Sequence, residues 1–184
     1  MNFNYLKIYE NAIPKEYCEH IIKEFEDSPT EHLYRDIDGT VRFTELNINR
    51  SNKWEGLVYY MLDICNQHIS KYKKDFDIKE FQFPKRYGFE EIRIKRYLPN
   101  DYDEFKLHVD VCDSESSKRH ISFLYYLNDV EDGGETTFGD PVQFSIPPKM
   151  GNLLMFPPLW TYIHAGKKPI SGPKYIITTY VNYV

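Results

Sequence analysis

The stretch EFKLHVDVCDSESSKRHISFLYYLNDVEDGGETTFGD, residues 104–140, decides how this chain folds. It holds three short runs of β-forming residues: Phe105–Val109, His120–Leu127 and Thr136–Phe138. Turn-forming clusters, Asp113–Ser117 and Asp132-Gly133-Gly134, separate them. The pattern continues outward. Glu91–Tyr97 precedes the stretch, and Val142–Ile146, Asn152–Phe156, Thr161–His164 and Tyr175–Val181 follow it. The breaks between these runs fall at Pro99-Asn100-Asp101, Gly139-Asp140-Pro141, Pro147-Pro148, Pro157-Pro158 and Gly172-Pro173. Short strands at this spacing predict a jelly-roll or barrel-like double sheet.

The first half reads differently. Leu6–Tyr9 is a short strand, and Pro14 opens a helix in which Cys18, Ile21, Ile22 and Phe25 recur at helical spacing before Asp27-Ser28-Pro29 ends it. Leu33–Leu46 carries Asp38-Gly39 between two partly alternating runs, the signal of a hairpin. An ordinary surface hairpin is the plainer reading, and a flap over a pocket the functional one. Trp54–Tyr72 is the longest helix, with Leu57, Tyr60, Met61, Ile64, Cys65 and His68 on one face. Asp75–Phe83 is a connector. The expectation is one domain over residues 1–184, mainly β with flanking helices. Residues 1–87 supply helical support and a substrate flap, and residues 88–184 form the catalytic β core.

Composition narrows the partners. The net charge is -5, with no basic stripe to neutralise phosphates, which argues against a nucleic-acid partner. Cys18, Cys65 and Cys112 are odd in number and widely spaced, which fits neither a disulfide framework nor a zinc knuckle and favours a reducing compartment. The N-terminal residues lack a signal-peptide pattern, and no run approaches the ~20 apolar residues of a membrane span. A cytoplasmic protein of bacterial or viral origin, with no membrane partner, is expected.

The chemistry sits in His108-Val109-Asp110, His164 and Lys174. His-x-Asp alone is common. On a strand, however, residues i and i+2 face the same way, so His108 and Asp110 address one ion, and His164 joins them if its strand runs alongside. Two imidazoles and one carboxylate are the ligand set of a non-haem Fe(II) oxygenase and leave three metal positions open. A 2-oxo acid fills two of them and O₂ the third. Lys174 immediately precedes an apolar strand. It either points to solvent or, if it points inward, requires an anion such as a dicarboxylate co-substrate. His20, His32, His68 and His120 have no partner at a useful spacing and read as structural or surface residues.

From about Glu91 to Val181 the chain resembles the prolyl 4-hydroxylase-like branch of the 2-oxoglutarate/Fe(II) dioxygenases. KRYLPNDYDEFKLHVD is similar to that family's segment of a tyrosine, a turn and His-x-Asp. RHISFLYYLNDVEDGGETTFGD resembles its Arg, strand, Tyr-Leu-Asn and Gly-Gly-Glu-Thr-x-Phe passage. Val142–Phe156, containing Pro148-Lys149-Met150-Gly151, and HAGKKPISGPKY follow in the family's order. The resemblance implies a double-stranded β-helix core, with Fe(II) on His108, Asp110 and His164. It implies 2-oxoglutarate on Lys174, with Tyr126, Tyr97 and Thr178 around it, O₂ as oxidant and ascorbate as reductant. It also implies substrate contacts from Arg119 and from Arg42 on the flap. The expected reaction is hydroxylation of a C–H bond, foremost in peptidyl proline as by procollagen-proline 4-dioxygenases, with 2-oxoglutarate converted to succinate and CO₂. Hydroxylation of a free amino acid or small metabolite is the alternative, and a catalytically silent jelly-roll binding module is a further one. The intact ligand set weighs against the silent module. The chain departs from the family at Phe105, where a tyrosine is frequent, at Lys167-Lys168, and at Tyr180, where tryptophan is common.

Overall fold

A computed structural model describes residues 3–184. Twelve strands form one curled antiparallel sheet, in the order β1 (Lys7–Tyr9), β10 (Leu153–Phe156), β7 (Arg119–Tyr126), β12 (Lys174–Tyr183), β5 (Arg93–Tyr97), β3 (Val41–Asn47), β6 (Phe105–His108), β11 (His164–Gly166), β8 (Thr136–Phe138) and β9 (Phe144–Ile146), with β2 (Leu33–Ile37) added on β3 and β4 (Tyr87–Phe89) on β12. The central strand is β12 (Lys174–Tyr183). It is flanked on one side by β7 (Arg119–Tyr126) and on the other by β5 (Arg93–Tyr97) and β4 (Tyr87–Phe89). Beyond β5 the sheet curls through β3 (Val41–Asn47), β6 (Phe105–His108), β11 (His164–Gly166) and β8 (Thr136–Phe138). This is the expected double-stranded β-helix architecture with two supporting helices.

Period-two alternation divides the sheet into two faces. On β12, Tyr175, Ile177 and Val181 join the core that contains the helices, while Ile176 belongs to a separate inner cluster. On β7, Ile121, Phe123 and Tyr125 face the helices, and Tyr126 faces inward. Helix α1 (Lys15–Glu26) starts after Pro14, whose fixed φ suits a helix entry, and buries Cys18, Ile21 and Phe25. Helix α2 (Glu55–Asp75) buries Leu57, Met61, Ile64, Cys65, His68, Ile69 and Tyr72, a stripe of i, i+4, i+7 spacing. His68 is a packing residue: its Nδ1 meets the Ile64 carbonyl at 2.7 Å. No helix among the described residues is long and apolar enough to cross a membrane. All three cysteines are free.

The hairpin forms as expected from β2 (Leu33–Ile37) and β3, with Asp38 (φ 49°) and Gly39 (φ 65°) in its turn. The Gly-Gly of the opening stretch also has a physical reason. A side chain at Gly133 would sit 2.4 Å from the Lys168 carbonyl, so only glycine admits the loop that follows β11.

Several boundaries differ from the sequence expectation. Strand β6 ends at His108, because the Asp110 carbonyl accepts from Arg119 instead of entering a ladder. The run expected at Thr161–His164 is a turn, closed by the Tyr162 amide donating to Leu159, and the ladder begins only at His164. The strand expected at Val142–Ile146 shortens to β9 (Phe144–Ile146). Strand β4 was not expected, and β12 begins at Lys174, which is inside the ladder opposite Tyr97.

Candidate active site

Strands β6 and β11 lie antiparallel with His108 directly opposite His164. Asp110, just past the end of β6, completes a group whose ligand atoms all lie within 4.8 Å of one another. His20, His32, His68 and His120 are not in it. The His108 Nδ1 lies 2.7 Å from the Lys106 carbonyl and the His164 Nδ1 2.9 Å from that of Tyr162. A carbonyl only accepts, so each Nδ1 carries the hydrogen and each Nε2 presents a lone pair to the centre. The Nε2 atoms are 3.5 Å and 3.8 Å from the two oxygens of Asp110. Phe105 stacks on the His108 ring at 3.5 Å and 1°, fixing its plane.

Asp110 is the electrostatic centre. Its Oδ1 accepts from the Tyr180 hydroxyl at 2.9 Å, whereas Oδ2 is buried with no hydrogen-bond partner among the described residues. Burial alone pushes its carboxyl group upward, but the imidazoles of His164 and His108 and the Tyr180 hydroxyl outweigh it and hold the group ionised, well below the usual carboxylate range. Burial pushes the His164 imidazole downward, toward the neutral form that ligates. An anionic oxygen with no partner among the described residues, facing the Nε2 atoms of two imidazoles, is what a divalent cation completes.

Arg119 does not point freely into the cleft. Its Nε and Nη2 donate to the two carboxylate oxygens of Glu90 at 2.8 Å and 3.0 Å, and its Nη1 donates to the Asp110 carbonyl at 2.7 Å. The guanidinium also lies 4.1 Å from the Tyr180 ring centre. Arg119 therefore positions Asp110. Tyr180→Phe removes one hydrogen bond from the ligand carboxylate and is expected to weaken Mn(II) binding roughly 10-fold. Calorimetric titration measures this, and an unchanged affinity means that the hydroxyl does not tune the site.

Inward from the triad, Lys174, Ile176, Thr178 and Tyr180 line a narrow pocket, all from alternate positions of β12. Lys174 is buried, its Nζ 5.4 Å from the Tyr97 ring centre and 5.8 Å from that of Tyr126. Among the described residues no carboxylate lies within ion-pair distance of it. Burial pushes its ammonium down, Glu135 opposes that and Lys95 adds to it, leaving the group at about 7. The Tyr126 hydroxyl donates to Thr136 at 2.8 Å, and Thr136 itself lines the pocket.

Outward, a cleft of about 1010 Å³ opens over the triad. The hairpin contributes Arg35, Ile37, Val41, Phe43 and Glu45 to its wall. Arg42 alternates to the other side of β3, paired with Asp36 at 3.0 Å and near the Tyr102 ring, so the structure does not bring it into the cleft. Sequence reasoning gave no role to Glu90, Thr136 and Lys95, and noted Tyr180 only as a departure from the family pattern. The parity of Tyr180 with Lys174 is the one signal that pointed to any of them.

Residues 92–182 match the model of the 2OG-Fe(II) oxygenase superfamily. Curated proteins give no significant sequence match. Among solved structures, a viral collagen prolyl hydroxylase from Paramecium Bursaria Chlorella virus-1, solved with 2OG, is 20% identical. The match covers 98% of this chain and 97% of that one, with a TM-score of 0.71. A prolyl hydroxylase from Trichoplax adhaerens, bound to a hypoxia inducible factor oxygen degradation domain peptide fragment, is 18% identical over 97% of this chain and 84% of that one, with a TM-score of 0.75. A Pseudomonas putida prolyl-4-hydroxylase is 15% identical over 97% and 92%, with a TM-score of 0.65. With its His-Asp-His group placed to hold a metal and the fold of the prolyl hydroxylases around it, the chain carries over residues 92–182 a domain of the 2OG-Fe(II) oxygenase superfamily, which requires Fe(II), 2-oxoglutarate and O₂.

Proposed function

We propose that this protein hydroxylates a prolyl residue within a peptide or protein, converting 2-oxoglutarate and O₂ to succinate, CO₂ and a hydroxylated carbon. The observation that carries the reading is the cleft of about 1010 Å³ over the triad, far larger than one amino acid needs and walled by the β2–β3 hairpin. Ile37, Val41, Phe43 and Phe105 give that wall an apolar strip running to His108. Such a strip suits a pyrrolidine ring, which has no N–H to satisfy, and a proline segment loses little conformational entropy on docking.

In this reading His108, Asp110 and His164 hold Fe(II), which when bound supplies the activation of O₂. Lys174 pairs with the distal carboxylate of 2-oxoglutarate. Tyr97, Tyr126 and Thr178 shape the pocket around the chain of that molecule and exclude water. Tyr180 and Arg119 hold Asp110 in place, and the hairpin closes over the substrate. Ascorbate serves as the reductant. The free cysteines support a reducing, cytoplasmic setting, and the acidic surface speaks against nucleic acid as the substrate.

Mass spectrometry of a panel of proline peptides, free proline and other free amino acids tests this directly. A gain of one oxygen on peptides is expected. Inert peptides beside a robustly hydroxylated free amino acid would overturn the reading. Removing Asp38-Gly39 from the hairpin tip is expected to raise the KM for peptide about 10-fold or more, the scale of losing one or two apolar contacts, with little change in uncoupled 2-oxoglutarate decarboxylation. Equal effects on both would deny the hairpin a role in substrate binding.

A further inference from the structure

We infer that Lys95 is a specificity-determining residue that pairs with a carboxylate of the substrate, close to the carbon that is hydroxylated. Lys95 lies on β5 between Arg93 and Tyr97, on the face that lines the site. It is one of the few residues shared by the inner pocket and the outer cleft, so its side chain stands where a substrate in the cleft meets the metal group.

The charges around it are already matched. Its cross-strand neighbour Glu45 is buried, and Oε1 of Glu45 accepts from Arg35 Nε at 2.8 Å, with Arg35 Nη2 at 2.7 Å. The second oxygen of Glu45 is 3.8 Å from Arg93 Nε, and Arg93 pairs in turn with Glu91 at 2.7 Å. Arg119 is committed to Glu90. Asp110 is committed to the metal group. Lys95 Nζ lies 4.9 Å from the Phe43 ring centre and, among the described residues, has neither an ion pair nor a hydrogen bond. A half-buried cation left over at the floor of a partly aromatic cleft gains from an anion that arrives and displaces the remaining water.

2-Oxoglutarate does not supply that anion. One of its carboxylates is met by Lys174 and the other goes to the metal in the proposed arrangement. A bound Fe(II), Asp110, the 2-oxoglutarate dianion and Lys174 sum to zero charge, so Lys95 leaves a surplus of one positive charge at the cleft floor. A substrate carboxylate cancels it. Two sources are open: an acidic side chain beside the target residue, or a free α-carboxylate on the target itself. The inference rests on the cleft being the substrate site, and not on the target being proline.

Calorimetry on the enzyme loaded with Mn(II) and 2-oxoglutarate, without O₂, tests it with three matched pairs. These are N-acetylproline against N-acetylprolinamide, acetyl-Asp-Pro-Gly-amide against acetyl-Asn-Pro-Gly-amide, and N-acetylglycine against N-acetylglycinamide. At least one carboxylate member is expected to bind roughly 10- to 100-fold more tightly than its amide, the scale of a charge-assisted contact. The first pair identifies an α-carboxylate and the second a side-chain carboxylate. Lys95→Met and Lys95→Gln are both expected to erase the difference while costing 2-oxoglutarate far less affinity than Lys174→Ala does. Equal binding within all three pairs overturns the inference, as does a preference that survives both substitutions, or a loss of 2-oxoglutarate affinity in both that equals that of Lys174→Ala. A preference confined to the glycine pair, with no proline compound hydroxylated, overturns the proline reading and leaves this one standing.

Discussion

Asp110→Ala is expected to abolish Fe(II)-dependent turnover of 2-oxoglutarate, and His108→Ala and His164→Ala to do the same. The three residues come from paired strands and the loop just beyond one of them, and no other group of His, Cys, Asp or Glu among the described residues could hold an ion. A melting experiment separates loss of metal from loss of fold. An ion at about 100 times its Kd stabilises the native state by roughly 2.7 kcal/mol, so Mn(II) is expected to raise the Tm of the parent protein and not that of Asp110→Ala. Without metal the variant is expected to stay folded, since it relieves a buried Oδ2 that has no hydrogen-bond partner among the described residues and gives up one hydrogen bond from Tyr180. Normal turnover in any of the three variants would reassign the site.

The second large effect belongs to Lys174. Its ammonium is buried and, among the described residues, meets no carboxylate within ion-pair distance, which fits the proposed pairing with a co-substrate carboxylate. A charge-assisted contact of about 1.5–3 kcal/mol translates to a roughly 10- to 100-fold weaker affinity for 2-oxoglutarate in Lys174→Ala. Lys174→Arg is expected to be milder but not silent, because a planar fork replaces a point charge. The pH dependence follows from the same burial. Without ligand the group sits at about 7, and a bound carboxylate favours the charged form and raises that value. Binding therefore takes up a proton above pH 7, and affinity falls as the pH rises from there toward the bound-state value. Below pH 7 this contribution is fully present and flat. Titrations across that range in the parent protein and in Lys174→Met provide the check. An identical profile in both would place the anchor elsewhere.

Much of this was legible because strands write their faces into the sequence every second residue. The β region, the two helices and the hairpin follow from that alternation, from helical stripes and from turn residues. The pairing of His108 with His164 needed only the assumption that their strands run together. What stayed hidden depends on which strands are neighbours. Glu90 and Arg119 are 29 positions apart and meet because β12 brings β4 and β7 to its two sides. The isolation of Lys95 is visible only once Arg35 and Arg93 are seen around Glu45. Strand β11 was misplaced because Thr161–His164 alternates like a strand while its backbone is spent on a turn. Arg42 carried the expected charge on the hairpin, but one residue of parity puts it on the side away from the cleft.

The two faces of β12 have an evolutionary consequence. Tyr175, Ile177 and Val181 bind the strand to the helices, and Lys174, Thr178 and Tyr180 line the pocket from the same stretch of backbone. A slip of one residue would turn every functional side chain outward, so the helix packing fixes the register on which the reaction depends. Strand β2 is under no such constraint: β3 is locked between β5 and β6, but among the described residues β2 hangs from the sheet by β3 alone. New substrates can therefore be acquired by changes at that margin while the iron chemistry is inherited intact.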